Sequence, residues 1–488
     1  MRMWRRSDRC DESIAARCVG FLLVVLANHS TSGADYVNPI FGEERQITRG
    51  AGGRILTNTG VWSPDSQWLI YDVRSDPAGD KFDGARIEAV HVESGDVRVV
   101  YESQNGAKCG VATYHPHQPF VVFILGPEHP TADWRYGPNH RQGVVVDTRR
   151  PGVYSRLDAR DLVAPPTPGA LRGGSHVHVW DSDGDWVAFT YNDALTEPGL
   201  RDIGVAVPNQ KVQVKPGHPR NHDADWFCTL VTQTVPNPRP GSDEIKRANE
   251  EGWIGNRGYV RADGTRQQRS IAFQGQVVTQ AGLEVTEVFV VDLPDQLPVD
   301  VSKLNQLTGA GRLETLPGVS QRRLTRTADR RFPGLQGTRH WLRSAPDGSR
   351  IAFLMKDDTG VSQIWTVSPA TGEMKQLTRN AFDISSAMSW SRNGRWIAHS
   401  MAGHVCLTDS RTGETRPITK QSAESDVEAE LKPALPHPLG EVRKEASVIS
   451  PDGLQIAFVR SKGDGDATTN QICVIDLDAS LNGTDRHQ

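Results

Sequence analysis

Two histidines one residue apart, His176 and His178 in Gly173-Gly174-Ser175-His176-Val177-His178-Val179-Trp180, are the pair in this chain best placed to do chemistry. Side chains at i and i+2 of a strand share a face, and two neutral imidazoles on one face can share a divalent metal ion or a substrate proton. His115 in Tyr114-His115 and His340 in Arg339-His340-Trp341 occupy corresponding places elsewhere in the chain. The expectation is therefore a divalent metal held by His115, His176, His178 and His340, with His176, His178, Arg339 and His340 as the catalytic candidates. The competing reading makes each imidazole a hydrogen-bonded histidine between packed sheets, because His-x-His alone is a common pattern.

Residues so far apart can meet only if the fold carries them to one place, and a repeat supplies such a fold. Ala345-Pro346-Asp347-Gly348-Ser349-Arg350-Ile351-Ala352-Phe353 recurs in degraded copies beginning at Ser63, His115, Asp181, Ser391 and Ser450. Pro, Asp and Gly suit a tight reversal, and the β-branched and aromatic run that follows suits a buried strand. Third and fourth strands follow, as in Gln363-Ile364-Trp365-Thr366-Val367 and Lys375-Gln376-Leu377-Thr378. Four strands per repeat of several tens of residues is the pattern of a β-propeller blade.

The interval from Asp181 to Ala345 is too long for one blade, so a hidden blade is expected there. Its strands are read as Trp226 to Thr234, Ser270 to Gln274, Glu287 to Leu293 and Arg322 to Thr325. The fold expected is all-β, a single propeller over residues 35–488 with seven blades, six or eight being the alternative counts. The last blade stops at Leu477, whereas Arg45-Gln46-Ile47-Thr48 resembles a fourth strand; the N-terminal strand is expected to complete that blade and close the ring. Trp62, Trp180 and Trp390, among the 12 tryptophans, are expected to wedge between blades.

Two departures from the repeat add candidates. Pro236-Asn237-Pro238-Arg239-Pro240-Gly241 leads into Ser242-Asp243-Glu244, which reads as a capped helix start with Gly252 as its stop, so a short helix is expected in an insertion at about 236–256. It would lid the channel or pack on its rim, with Glu250 and Glu251 near the mouth. The segment from Gly126 to Arg141 inserts polar and aromatic groups that suit carbohydrate or peptide contact. Asp181-Ser182-Asp183-Gly184-Asp185 has calcium-loop composition but sits in the hairpin-turn register, without the remaining EF-hand ligands. No Gly-x-Ser-x-Gly elbow is present, which argues against a propeller-capped hydrolase.

Residues 1–34 read as an export signal: Arg2, Arg5 and Arg6, then an apolar stretch from Val19 to Ala27, then Ser32-Gly33-Ala34. The mature chain is expected to be periplasmic or otherwise exported, with no transmembrane segment. Cys109, Cys228, Cys406 and Cys473 have no zinc spacing and are expected to be buried thiols. A net charge of −4 with no basic stripe argues against a nucleic-acid partner.

The cassettes resemble those of TolB-type and WD40-like propellers. More specifically, Leu171 to Val179, Phe189 to Asp193, Pro240 to Ile245, Glu250 to Trp253, Gln321 to Thr325 and Arg339 to Trp341 resemble the YidR-like family of bacterial propellers. That resemblance implies the fold and carries no activity with it; the export signal departs from it. A weaker similarity, in kind only, is to oligogalacturonate lyases, which gather histidines around a divalent metal. Two functions follow as expectations. One is a binding or scaffold propeller for a cell-envelope protein or carbohydrate ligand. The other is a metal-dependent carbohydrate-active enzyme in which the metal neutralises a carboxylate while a neutral His or Arg339 takes the proton.

Overall fold

The computed structural model describes residues 43–419 and 447–481, apart from 58, 197–198, 209, 299, 465–466 and 479–480. The expected signal at 1–34 lies outside the described residues. Seven four-stranded antiparallel sheets form a ring. Blade 1 runs Gly53–Ile55, Trp68–Arg74, Arg86–His91, Val97–Glu102; blade 2 runs Cys109–Tyr114, Phe120–Leu125, Gln142–Asp147, Tyr154–Arg156. Blade 3 is Gly173–Trp180, Val187–Asp193, Asp202–Val207, Phe227–Leu230, and blade 4 is Ala248–Trp253, Arg269–Val278, Glu284–Leu293, Ser320–Arg323. Blades 5 and 6 follow from Arg343–Ser344 to Met374–Gln376 and from Ser389–Trp390 to Thr415–Pro417. Blade 7 combines Val448–Ile449, Gln455–Asp464 and Ala467–Asp476 with Arg45–Gln46 from the start of the chain.

The closure is as the sequence implied. Arg45 pairs with Val474 and Gln46 with Cys473. Glu44, just ahead of that strand, forms an ion pair with Arg460 at 2.9 Å and accepts from Lys462 at 2.7 Å, and the Arg460 side chain is almost wholly buried. Two cations and a carboxylate withdrawn from water tolerate only this register, so the clasp is fixed by charge as well as by sheet bonds.

The cassette turns sit where the repeat put them, between the first and second strands. In blades 1, 6 and 7 the leading Ser hydroxyl donates to the Asp or Asn two residues on, as Ser63 does to Asp65 at 2.5 Å. Each sheet buries both faces against its neighbours, and Phe123, Phe189, Phe273, Phe353 and Phe458, all fully buried, fill equivalent second-strand positions. Tryptophans cross the seams: the indole N–H of Trp62 donates to Val448 O at 2.9 Å, Trp253 to Val179 O at 2.9 Å and Trp390 to Arg343 O at 3.1 Å. Each bond joins one blade to the blade before it, the Trp253 and Trp390 bonds running between first strands. Trp180 instead packs on His115, ring centroids 4.7 Å apart. Cys109, Cys228, Cys406 and Cys473 are buried and in no disulfide, with their thiols pushed up by burial.

Two expectations are corrected. Trp226 to Thr234 does not open the hidden blade; Phe227–Leu230 is the outermost strand of blade 3, paired with Asp202–Val207. The first strand of blade 4 is Ala248–Trp253, where a helix was expected. Among the described residues the only helical element is a 3-10 turn, Val301–Lys303. Helix propensity lost here to tertiary pairing: without Ala248–Trp253, the strand Arg269–Val278 would present an unpaired buried edge. The acids assigned to a helix dipole are spent elsewhere, Asp243 on Arg326 at 2.8 Å and Glu244 on Arg239 at 2.8 Å.

Candidate functional site

The first strands of blades 2, 3 and 4 share a defect that the other blades lack. Each carries a bulge, between Gly110 and Thr113, between His176 and Val179, and between Asn249 and Gly252. The first residue of each bulge has a left-handed backbone: Val111 at φ 59°, Val177 at 58° and Glu250 at 51°. For a β-branched residue this costs about 1–2 kcal/mol, and strain of that kind persists where surrounding structure holds it for a purpose. All three bulge residues line one cavity of about 750 Å³ at the channel end of the ring.

The bulge also decides where the histidines point. Because Val177 and His178 together oppose the single residue Phe189, strand alternation is broken, and His176 and His178 do not share a face. His176 lines the cavity. His178 turns into the seam toward blade 2, where its Nε2 meets the Ser175 hydroxyl at 2.9 Å and Ser175 in turn donates to Asp158 at 2.5 Å. A Cβ placed on Gly143 would lie 2.5 Å from His178 Nε2, so that glycine makes room for the ring. His340 is satisfied on both nitrogens, with Thr338 O at 2.9 Å from Nδ1 and Leu354 N–H donating to Nε2 at 2.9 Å. His115 stands at the opposite end of its strand, in the cassette turn, where its Nδ1 accepts from His117 N and Gln118 N and its Nε2 meets Gly184 O at 3.1 Å.

The four histidines expected to share a metal therefore occupy separate surroundings, and only His176 and Arg339 of the candidate set reach the cavity. Among the described residues no three His, Cys, Asp or Glu side chains come together in a way that could hold a metal ion. The donor set does not fit a divalent cation, since the cavity wall is cationic.

That cationic wall was not read from the sequence. Arg74, Arg141, Arg201, Arg247 and Arg339 line the cavity against one carboxylate, Glu250. Two are paired: Arg74 with Asp72 at 2.9 Å and Arg339 with Glu250 at 2.5 Å. Arg141, Arg201 and Arg247 have no carboxylate within ion-pair distance among the described residues. Arg141 lies against Tyr136 and Phe82, 4.9 and 5.2 Å from the ring centroids, with its Nε buried and unbonded. Burial and the neighbouring Arg247 charge pull the Arg201 guanidinium down to about 10, against an opposing pull from Glu250 and Glu251. Arg141 and Arg201 each immediately precede the third strand of their blade, so successive blades present a guanidinium at the same place. That coincidence is the one signal that could have found them in sequence. Arg247 was hidden by the helix reading.

Apolar groups complete the lining: Phe82, Val111, Ile124, Val177 and Trp341, the last with the Arg339 guanidinium 4.6 Å over its ring. Burial, with Arg141 and Arg201 nearby, holds His176 neutral, well below the ordinary imidazole range. Glu251, the second bulge residue of blade 4, does not join Glu250 at the mouth. It is fully buried with both carboxyl oxygens unbonded, and burial pushes it up to about 8.

Residues 108–222 match the family described as a protein of unknown function, DUF3748. Over 434 residues the chain is 42% identical to the uncharacterized protein YidR of Escherichia coli strain K12, covering 86% of this chain and 96% of that one. Among solved structures, an oligogalacturonate lyase in complex with manganese covers 91% of this chain and 97% of its own, with a TM-score of 0.50 at 12% identity. TolB from Acinetobacter baumannii matches 86% of this chain and 65% of its own, with a TM-score of 0.34 at 14% identity. At such identities the likeness to the lyase is one of fold. No helix among the described residues is long and apolar enough to cross a membrane.

Proposed function

The chain belongs to the YidR family, and for this member we propose a binding propeller that holds an anionic ligand, such as the acidic group of a cell-envelope glycan, in the cavity between blades 1 and 5. The observation that carries the reading is the set of three guanidinium groups, on Arg141, Arg201 and Arg247, that line one cavity without an ion-pair partner, its one carboxylate, Glu250, being engaged by Arg339. Like charges held together and partly withdrawn from water are costly until an anion joins them, and planar guanidinium forks match carboxylate geometry. Strained bulges in three successive blades support the same cavity as the site. The export pattern at 1–34 supports a location outside the cytoplasm, where envelope glycans are met.

Calorimetric titration with adipate, a six-carbon dicarboxylate, tests this directly. Wild type is expected to bind it saturably at one site, and Arg201→Gln combined with Arg247→Gln to weaken binding about 100-fold, two charge-assisted contacts being removed. Absence of saturable binding in wild type, or equal affinity in the double variant, would sink the proposal.

A further inference from the structure

Apart from the Glu250 carboxylate, which Arg339 occupies, one ring acceptor stands in this cavity beside the arginines. Thr190 has a single hydroxyl proton, and its oxygen lies 2.9 Å from His176 O, which can only accept. The proton is committed there, so the contact between Thr190 Oγ1 and His176 Nδ1 at 3.2 Å requires Nδ1 to carry the imidazole hydrogen. Nε2 is then a bare lone pair. Its one neighbour, Asn192 Oδ1 at 3.4 Å, is itself an acceptor: the Asn192 amide nitrogen donates to Leu200 O at 2.8 Å, and the amide oxygen accepts from Arg201 Nε at 3.3 Å. An imidazole nitrogen facing an oxygen, with no hydrogen between them, lacks a donor.

The unpaired guanidinium groups stand on both sides of this acceptor. Arg141 belongs to blade 2, whereas Arg201 and Arg247 meet across the seam of blades 3 and 4, where their backbones form a bridge. His176, on blade 3, lies in ring order between Arg141 of blade 2 and the seam of blades 3 and 4, and the charges of Arg141 and Arg201 both act on its ring. A ligand that satisfies the whole cavity must carry an anionic group at each end and a hydrogen-bond donor in the middle. A cationic amine donor is repelled by the arginines, which leaves a neutral donor, and the neutral donor a sugar acid supplies is a hydroxyl.

We infer that the ligand is a hydroxylated dianion of the sugar-acid type, its acidic groups on Arg141 and on the Arg201–Arg247 pair and a hydroxyl donating to His176 Nε2. This rests on the anion-binding reading above and adds the hydroxyl and its partner. His176 is thus the residue that separates a polyhydroxylated acid from a plain one, since a buried acceptor left unpaired penalises the ligand that lacks the donor.

Galactarate and adipate are six-carbon dicarboxylates that differ in the hydroxyls, and they make a matched pair of probes. Titrated at pH 7 into the full chain, galactarate is expected to bind at least 10-fold more tightly than adipate. His176→Phe is expected to reduce that ratio below 2-fold, and His176→Asn, which retains a side-chain acceptor, to keep part of it. In wild type, nitrogen-15 shifts should show His176 as the Nδ1–H tautomer, with Nε2 moving on addition of galactarate and not of adipate. Equal affinity for the two probes, or an Nε2–H tautomer, overturns the inference while leaving the anion-binding reading intact. Failure of both probes to bind overturns both.

Discussion

Blades 2 to 4 and blades 5 to 7 are built from the same four-stranded unit but depart from it in opposite ways. In blades 5 to 7 the first strand is a regular pair of residues, and the Ser or Ala that follows it opens a Pro-Asp-Gly or Arg-Asn-Gly turn. In blades 2 to 4 the first strand is longer and bulged, with Val111, Val177 and Glu250 in left-handed backbone. The regular arc spends its sequence on turns and seams. The bulged arc gives up hydrogen bonds and backbone comfort, and the residues it re-aims line the arginine cavity. Where a repeat is kept it holds the ring together, and where it is broken in the same register three times running the break shapes the cavity proposed as the anion site.

Glycine substitution of one valine from each arc breaks or upholds this contrast with the largest effect. Val405 in blade 6 is fully buried in a regular strand, and Val405→Gly should cost about 3–4 kcal/mol by lost packing and added chain entropy. Val177→Gly removes the left-handed strain while giving up a partly exposed side chain, and its stability should stay within about 1 kcal/mol of wild type. Chemical denaturation of the two variants measures both numbers. Equal large losses would mean that Val177 is packing like any core valine.

A smaller effect should appear in the pH dependence. Glu251 titrates near 8 in the folded chain against an ordinary value of 4.5, because burial opposes its charge. Between those values the folded chain keeps a proton that the unfolded chain releases, so stability falls as pH rises through that window. Glu251→Gln removes the titration, and its stability relative to wild type should grow from pH 5 to pH 8. The buried neutral histidines act in the opposite sense at acid pH: His178, held near 3, and His340, near 4, resist protonation, so stability falls as pH drops below about 6.5. A flat difference between Glu251→Gln and wild type across pH 5 to 8 would show that the carboxyl is solvated.

The same contrast explains what could be read from the sequence. The regular arc was legible almost strand by strand, since Pro-Asp-Gly turns and β-branched runs are local signals, and the clasp at Arg45–Gln46 followed from counting strands. The hidden blade was misread at one strand because its first strand, Ala248-Asn249-Glu250-Glu251-Gly252-Trp253, has helical composition and is a strand only through pairing with residues 271–275. His176 lines the cavity and His178 turns away from it for one physical reason: a bulge shifts strand alternation by one residue, and nothing in Ser-His-Val-His announces it. The arginines were missed because each lies on a different blade beside an unremarkable sequence, and their meeting is a property of the closed ring.

The central claim is that the three unpaired guanidinium groups form an anion site. Anomalous diffraction from a crystal of the protein soaked in selenate tests it most directly. The account predicts a selenium peak inside the cavity, within hydrogen-bond reach of Arg201 and Arg247, that disappears in the Arg201→Gln/Arg247→Gln variant. Peaks confined to the outer surface, with the cavity empty in wild type, would contradict it.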